Sequence, residues 1–158
     1  MILALLAPGL AGCATPQAMT VAATTISNPK YRNAIAVRNV SGGQAMNVLT
    51  MPGVPNEPLK TALESSLAAN GYLTQSGTPK FYLDAEIHNL EQPLIGLDLT
   101  VTADVTYKVS GAGKTADYPI KSTATATFSD SPMAADRLRI ANERAMHENI
   151  KRFLETLR

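Results

Sequence analysis

Tryptophan is absent from this chain, cysteine occurs once, and aromatic residues make up only 5%. A lone cysteine excludes an internal disulfide and a zinc site built on several cysteines. With so few rings, the core must come from Leu, Ile, Val and Ala. Charge of one sign is missing too: 14 Lys and Arg stand against 13 Asp and Glu, a net charge of +1 at pH 7. No overall field and no Lys/Arg cluster points to nucleic acid, so a partner must be recognised through a local surface. No apolar run reaches the ~20 residues that a membrane-spanning helix takes. What remains, 158 residues of which 45% are hydrophobic, suits one globular domain with its own core.

Catalytic motifs are equally scarce. No Gly-x-Ser-x-Gly nucleophile elbow occurs. The stretch "SGAGKT" at 110–115 resembles a phosphate loop, but the first glycine of that motif would fall at Lys108. A strand follows it rather than a helix, so a hairpin turn is the better reading. Neither hexapeptide repeats nor a His-x-x-x-x-Asp pattern after His88 or His147 supports an acyltransferase. No cofactor is implied.

The patterns that are present predict an α+β fold. "NAIAVRNV" reads as a short buried strand that opens a domain near Arg32. Asn56 is placed to cap a helix, with Pro58 in its first turn and Asn70-Gly71 at its end. Leu59, Ala62, Leu63 and Leu67 share a face of that helix. Phe81, Leu83, Ala85 and Ile87 then alternate with polar residues, as in a strand with one dry face. The same period runs from Ile95 through Val109 and again from Tyr118 to Phe128. Asp130 or Ser131 is placed to cap a last helix, whose apolar stripe includes Leu138, Ala141, Ala145, Met146, Ile150, Phe153 and Leu157, with Arg137 among its polar decoration. The expected architecture is an antiparallel sheet of about four to five strands with two helices on one face, in strand–helix–strands–helix order. Residues 32–158 would form this domain, and 13–31, rich in Ala and Thr, would be a flexible tether or one partly docked as an extended segment.

Two groups of side chains invite a functional reading. Asp84, Glu86 and His88 lie on the polar face of one strand, but residues two apart stand about 7 Å from each other. They are weak metal candidates, because ligands must converge to ~2 Å. His147 sits on a charged helix and carries no further signal. Thr100, Thr102, Thr106, Thr123, Thr125 and Thr127 would give a flat, hydroxyl-bearing sheet face able to contact a glycan or another sheet.

The single cysteine carries the one specific motif. Leu10, Ala11, Gly12 and Cys13 follow an apolar stretch, Ile2 to Leu6, and match the bacterial lipoprotein signal at each position. That resemblance implies a signal peptide over 1–12, cut before a Cys13 that bears diacylglycerol on sulfur and an acyl chain on its new amino group. Several chains give stable anchoring where one is marginal. Ala14, rather than Asp, implies sorting to the outer membrane. No Lys or Arg precedes Cys13, so the signal peptide is expected to be truncated at its start. The lipobox, the helix "LKTALESSLAANGY", the alternating strands and the helix "ANERAMHENIKRFLETL" together resemble small Gram-negative outer-membrane lipoproteins of the YajG-like group, over about residues 33–157. More loosely they resemble the lipopolysaccharide-assembly accessory lipoproteins. The first likeness implies a non-enzymatic, periplasm-facing domain that binds or scaffolds an envelope protein or glycolipid; the second, an accessory subunit beside a lipopolysaccharide-exporting barrel. Architecture alone does not choose between them.

Overall fold

The computed structural model describes residues 14–24, 28–47, 49 and 51–158. Cys13 and the lipobox residues Leu10, Ala11 and Gly12 lie outside the described residues. Helix α1 (Pro16–Met19) is followed by a 3₁₀ turn (Pro29–Tyr31), β1 (Ile35–Ser41), α2 (Asn56–Ala69), β2 (Phe81–Glu91), β3 (Leu99–Gly111), β4 (Lys114–Ala126) and α3 (Ala134–Thr156). The fold is α+β, with the helices packed against one face of a four-stranded sheet in the order β1-β2-β3-β4.

The period-2 pattern places the core. On β3, Val101, Ala103, Val105 and Tyr107 are all fully buried, while Thr100, Thr102, Asp104 and Thr106 face the other way. Leu59, Leu63 and Leu67 of α2 and Met146, Ile150 and Phe153 of α3 cover that dry face. Phe153 stacks on Tyr107 with ring centroids 4.2 Å apart. One polar hub sits inside this apolar contact. Tyr107 Oη donates to Asn149 Oδ1 at 2.9 Å, and Asn149 Nδ2 donates to Ile120 O at 3.0 Å and Ser122 Oγ at 2.9 Å. Ser122 Oγ donates to Ala145 O at 2.8 Å. A buried polar network is tolerable only when its members are satisfied, and these are. Burial also holds the Tyr107 phenol well above its usual range, so it stays a donor.

Six expectations need correction. The sheet is mixed: β1 pairs parallel with β2, because the α2 crossover returns the chain in the same direction. Ile95 and Leu97 do not extend β3, although they continue its alternation; Pro93 and Gly96 (φ 151°) bend the chain, and β3 starts only at Leu99. Phe128 likewise lies beyond the end of β4 and is 55% exposed. Asn56 is not the helix cap, since Pro55 holds that position and Asn56 Oδ1 instead accepts the Gly43 N–H at 2.7 Å. Neither Asp130 nor Ser131 caps α3, which begins after Met133; Arg137, expected on its polar side, is buried and donates back to Ser131 O and Pro132 O.

Gly42 marks where the loop after β1 closes on β2. Its φ is +80°, and a Cβ there would sit 2.1 Å from Ile87 O. Only glycine satisfies both the backbone conformation and the approach.

Candidate functional site

The polar face of the sheet carries the densest set of chemically active side chains. Two β-bulges shape it. The β1–β2 register slips between Val37 and Asn39, and the β2–β3 register slips between Ile87 and Asn89. The extra residues are Arg38 and His88, and a bulge re-aims the side chain it carries. Both side chains reach the polar face.

Arg38 grips Asp84 with two bonds, one of them Nε to Oδ1 at 2.9 Å. The guanidinium holds the Asp84 carboxyl below the usual carboxylate range, with Lys108 adding to the effect. Asp84 stands opposite Lys108, and Lys108 opposite Asp117. Arg38, Asp84, Lys108 and Asp117 thus form a row of alternating sign across all four strands, the arrangement that favours cross-strand pairs. One step along, His88 Nε2 lies 2.8 Å from Thr106 Oγ1, and His88 Nδ1 lies 3.9 Å from Glu86 Oε1. An open groove of about 650 Å³ runs over these residues.

The residues singled out by sequence are therefore brought together only in part. Asp84 is committed to Arg38, and Glu86 and His88 form a separate, looser pair. Among the described residues, no three His, Cys, Asp or Glu side chains gather as metal ligands would. Thr100 and Thr125 are joined through their hydroxyls at 2.8 Å, and Thr102 and Thr123 at 3.2 Å. Thr106 sits beside His88. Thr127 leaves the face altogether: it lies past β4, with its N–H donated to Asp130 Oδ2 at 2.7 Å. Sequence reading missed Arg38, Lys108 and Asp117, because only the strand register sets them side by side.

The sheet's outer edge on β4 is covered. Arg152 and Arg144 of α3 donate to the carbonyls of Lys121 (2.9 Å) and Thr125 (3.0 Å). Pro119 lies midway along the strand and has no N–H to offer. Strand addition at this edge is hindered, while the polar face of the sheet stays open to contact.

The other element of interest is the chain just after Cys13. Of the two readings of this segment, a flexible tether and one partly docked, residues 14–24 follow the second, with a short helix in place of a fully extended chain. Ala14, Met19 and Val21 are buried, with 3%, 0% and 4% exposure. Thr15 donates through its N–H and its hydroxyl to Glu143 Oε1, at 2.8 and 3.0 Å. Val21 N–H donates to Ser66 Oγ at 2.9 Å, and Thr24 N–H to Asn70 Oδ1 at 3.0 Å. Tyr31, still inside the expected tether, is buried and packs edge-on against Phe81. Scattered apolar side chains, with no helical or strand period, find sites between α2 and α3. Among the described residues no helix is long and apolar enough to cross a membrane.

No protein-family model matches the chain, and no curated protein matches it by sequence. Solved structures do match. A Xanthomonas campestris protein, XCC0632, assigned to the family DUF330, superposes with a TM-score of 0.60 at 11% identity, over 90% of this chain and 91% of that one. The hypothetical protein CT253 from Chlamydia trachomatis gives 0.52 at 13% identity, over 80% of this chain and 98% of that one. At such identities the likeness establishes the fold alone: this α+β arrangement of a four-stranded sheet backed by helices is one that other bacterial proteins share.

Proposed function

We propose that this chain is a cell-envelope lipoprotein, held on the periplasmic side of the outer membrane through an acylated Cys13, and that it works by binding rather than by catalysis. The observation that carries this reading is the box Leu10-Ala11-Gly12-Cys13, set directly before a segment that docks from Ala14 onward. The polar sheet face is the contact surface. Its charges alternate in sign and its threonine hydroxyls are paired across strands, so it offers many hydrogen bonds and little net charge. That chemistry suits an uncharged, hydroxyl-rich partner such as a glycan, or the polar face of another envelope protein.

Intact mass of the protein taken from membranes, beside a Cys13→Ala variant, tests the anchor. The expected result is a chain beginning at Cys13 with acyl groups attached, and a variant lost from the membrane fraction. A full-length, unmodified mass would overturn it. For the contact face, Thr102→Arg with Thr123→Arg should abolish capture of the envelope partner while leaving the fold intact. Capture of a β-barrel that survives this double change would instead favour the lipopolysaccharide-assembly role.

A further inference from the structure

The end of the molecule where β2 turns into β3 is unlike the rest of its surface. Every large, exposed hydrophobic side chain among the described residues except Tyr82 lies there. Ile95 is 90% exposed, Leu97 72%, Leu94 70% and Met133 63%; Leu49 and Phe128 stand beside them in neighbouring loops. The sequence stretches that form this end, 44–55, 92–97 and 131–135, contain no Asp, Glu, Lys or Arg. An apolar groove of about 380 Å³ runs between them, with Met51, Pro52, Leu94, Leu99 and Leu138 in its walls.

The loops are held firmly for so apolar a surface. Gln92 Nε2 donates to Pro52 O at 2.7 Å and to Asn142 Oδ1 at 2.9 Å. Asn142 Nδ2 donates to Pro52 O at 2.9 Å, and Asn47 Nδ2 to Gln92 Oε1 at 2.9 Å. These amides stitch three segments together and leave their aliphatic side chains outside.

The described chain also begins towards this end. Going backwards from Thr24, it passes Asn70, then Ser66, and reaches Glu143 at Thr15. That path runs from the C-terminal end of α2 towards its N-terminal end, where Asn56 follows the 44–55 stretch and accepts the N–H of Gly43 just before it. Glu143 adjoins Asn142, which holds Pro52. It lies five residues beyond Leu138 of the groove, about 7.5 Å along the helix axis. Ala14, the residue bonded to Cys13, is therefore within a short reach of the apolar loops.

We infer that this end is a bilayer-contacting surface, with Leu94, Ile95 and Leu97 entering the lipid interface beside the acylated N-terminus. The inference rests on the anchoring reading above and adds an orientation to it. Because residues 14–24 are docked, acyl chains on Cys13 would hold the body against the membrane, and this end faces it with few charges to desolvate: Asp98 beside Leu97, and Asp130, which is paired with Arg144. The polar hairpin at Gly111–Lys114 then points away from the membrane.

The absence of tryptophan makes the test simple. Ile95→Trp and, as a control at the far end, Thr115→Trp are prepared in the full chain, both at exposed positions. Each is bound to vesicles of phosphatidylethanolamine and phosphatidylglycerol doped with brominated phosphatidylcholine. The expected result is a blue shift and strong quenching at position 95, with several-fold weaker quenching at 115. Equal, weak quenching at both positions on vesicle-bound protein would overturn the inference. So would a blue-shifted 95 signal before vesicles are added: lost on dilution, it would mean a second copy covers the patch, and unchanged on dilution, a segment of the same chain. Intact mass separates the two claims. An acylated, vesicle-bound chain with unquenched position 95 refutes the orientation alone. An unacylated chain refutes the anchor, and its position-95 quenching on the same vesicles still decides whether the loops enter lipid.

Discussion

β3 is connected at its two ends in opposite ways. At one end it joins β4 through Ala112 and Gly113, the smallest turn that links antiparallel strands. Both residues have positive φ, 52° and 72°, as a turn matched to the strand twist requires. At the other end, residues 92–98 carry Leu94, Ile95 and Leu97 out into solvent. Nothing in the folding of the hairpin calls for those side chains, since the core of β3 is already complete from Leu99 to Val109. The tight turn is explained by geometry. The apolar loop calls for a contact outside the domain.

The comparison assumes a rigid body between the two ends, so the largest expected effect comes from breaking that body. Asn149→Ala removes the hub under β3 and strands the Tyr107 hydroxyl, and should cost about 3 kcal/mol. Chemical denaturation reads this directly, and both ends should loosen together. Glu143→Ala frees the N-terminal segment on the apolar side and releases Arg139, which Glu143 also pairs with at 3.0 Å. It should lower stability by about 1–2 kcal/mol and speed proteolytic cleavage within 14–24, with no change at the 111–114 turn. At the tight turn the effect reverses: Ala112→Gly relieves a left-handed alanine and should stabilise by about 0.5–1 kcal/mol.

Acid should act unevenly across the fold. Arg144 holds the Asp130 carboxyl far below its usual range, and Arg152 holds Glu148 down. A carboxyl depressed in the folded state contributes stability that is complete above its unfolded pKa, about 4. That contribution is lost as pH falls through the folded value. Asp130 fastens the Thr127 turn at the apolar end; its contribution should decline progressively below pH ~4 and outlast that of the less depressed Glu148. Asp130→Asn should flatten the dependence in a pH series of melting curves. The smallest effect on stability is expected at the loop itself: Ile95→Ser with Leu97→Ser should stay within about 0.5 kcal/mol of the parent, because little is buried there. The same change should sharply weaken contact with vesicles.

Much of this layout was legible in the sequence, and the exceptions have physical causes. The alternation from Leu99 to Val109 specified β3 and its dry face, because a period of two is unambiguous over that length. The same alternation misled at Ile95 and Leu97, where Pro93 and Gly96 outweigh it. Parallel pairing of β1 was available from the strand–helix–strand order, but "NAIAVRNV" alternates no differently for either direction. The docking of 14–24 left no period to read. Its long-range hydrogen bonds go to the side chains of Glu143, Ser66 and Asn70, which only the fold brings near. The charge row from Arg38 to Asp117 was hidden for the same reason, behind a bulge that shifts Arg38 by one residue.

Hydrogen exchange on the protein, free and bound to vesicles, tests the central claim most directly by comparing the two ends of β3 in one experiment. The account predicts that vesicle binding slows exchange in 92–98 and in the facing 44–53 loop, and leaves 111–114 unchanged. Equal rates at 92–98 with and without vesicles, on protein confirmed to be bound, would contradict it.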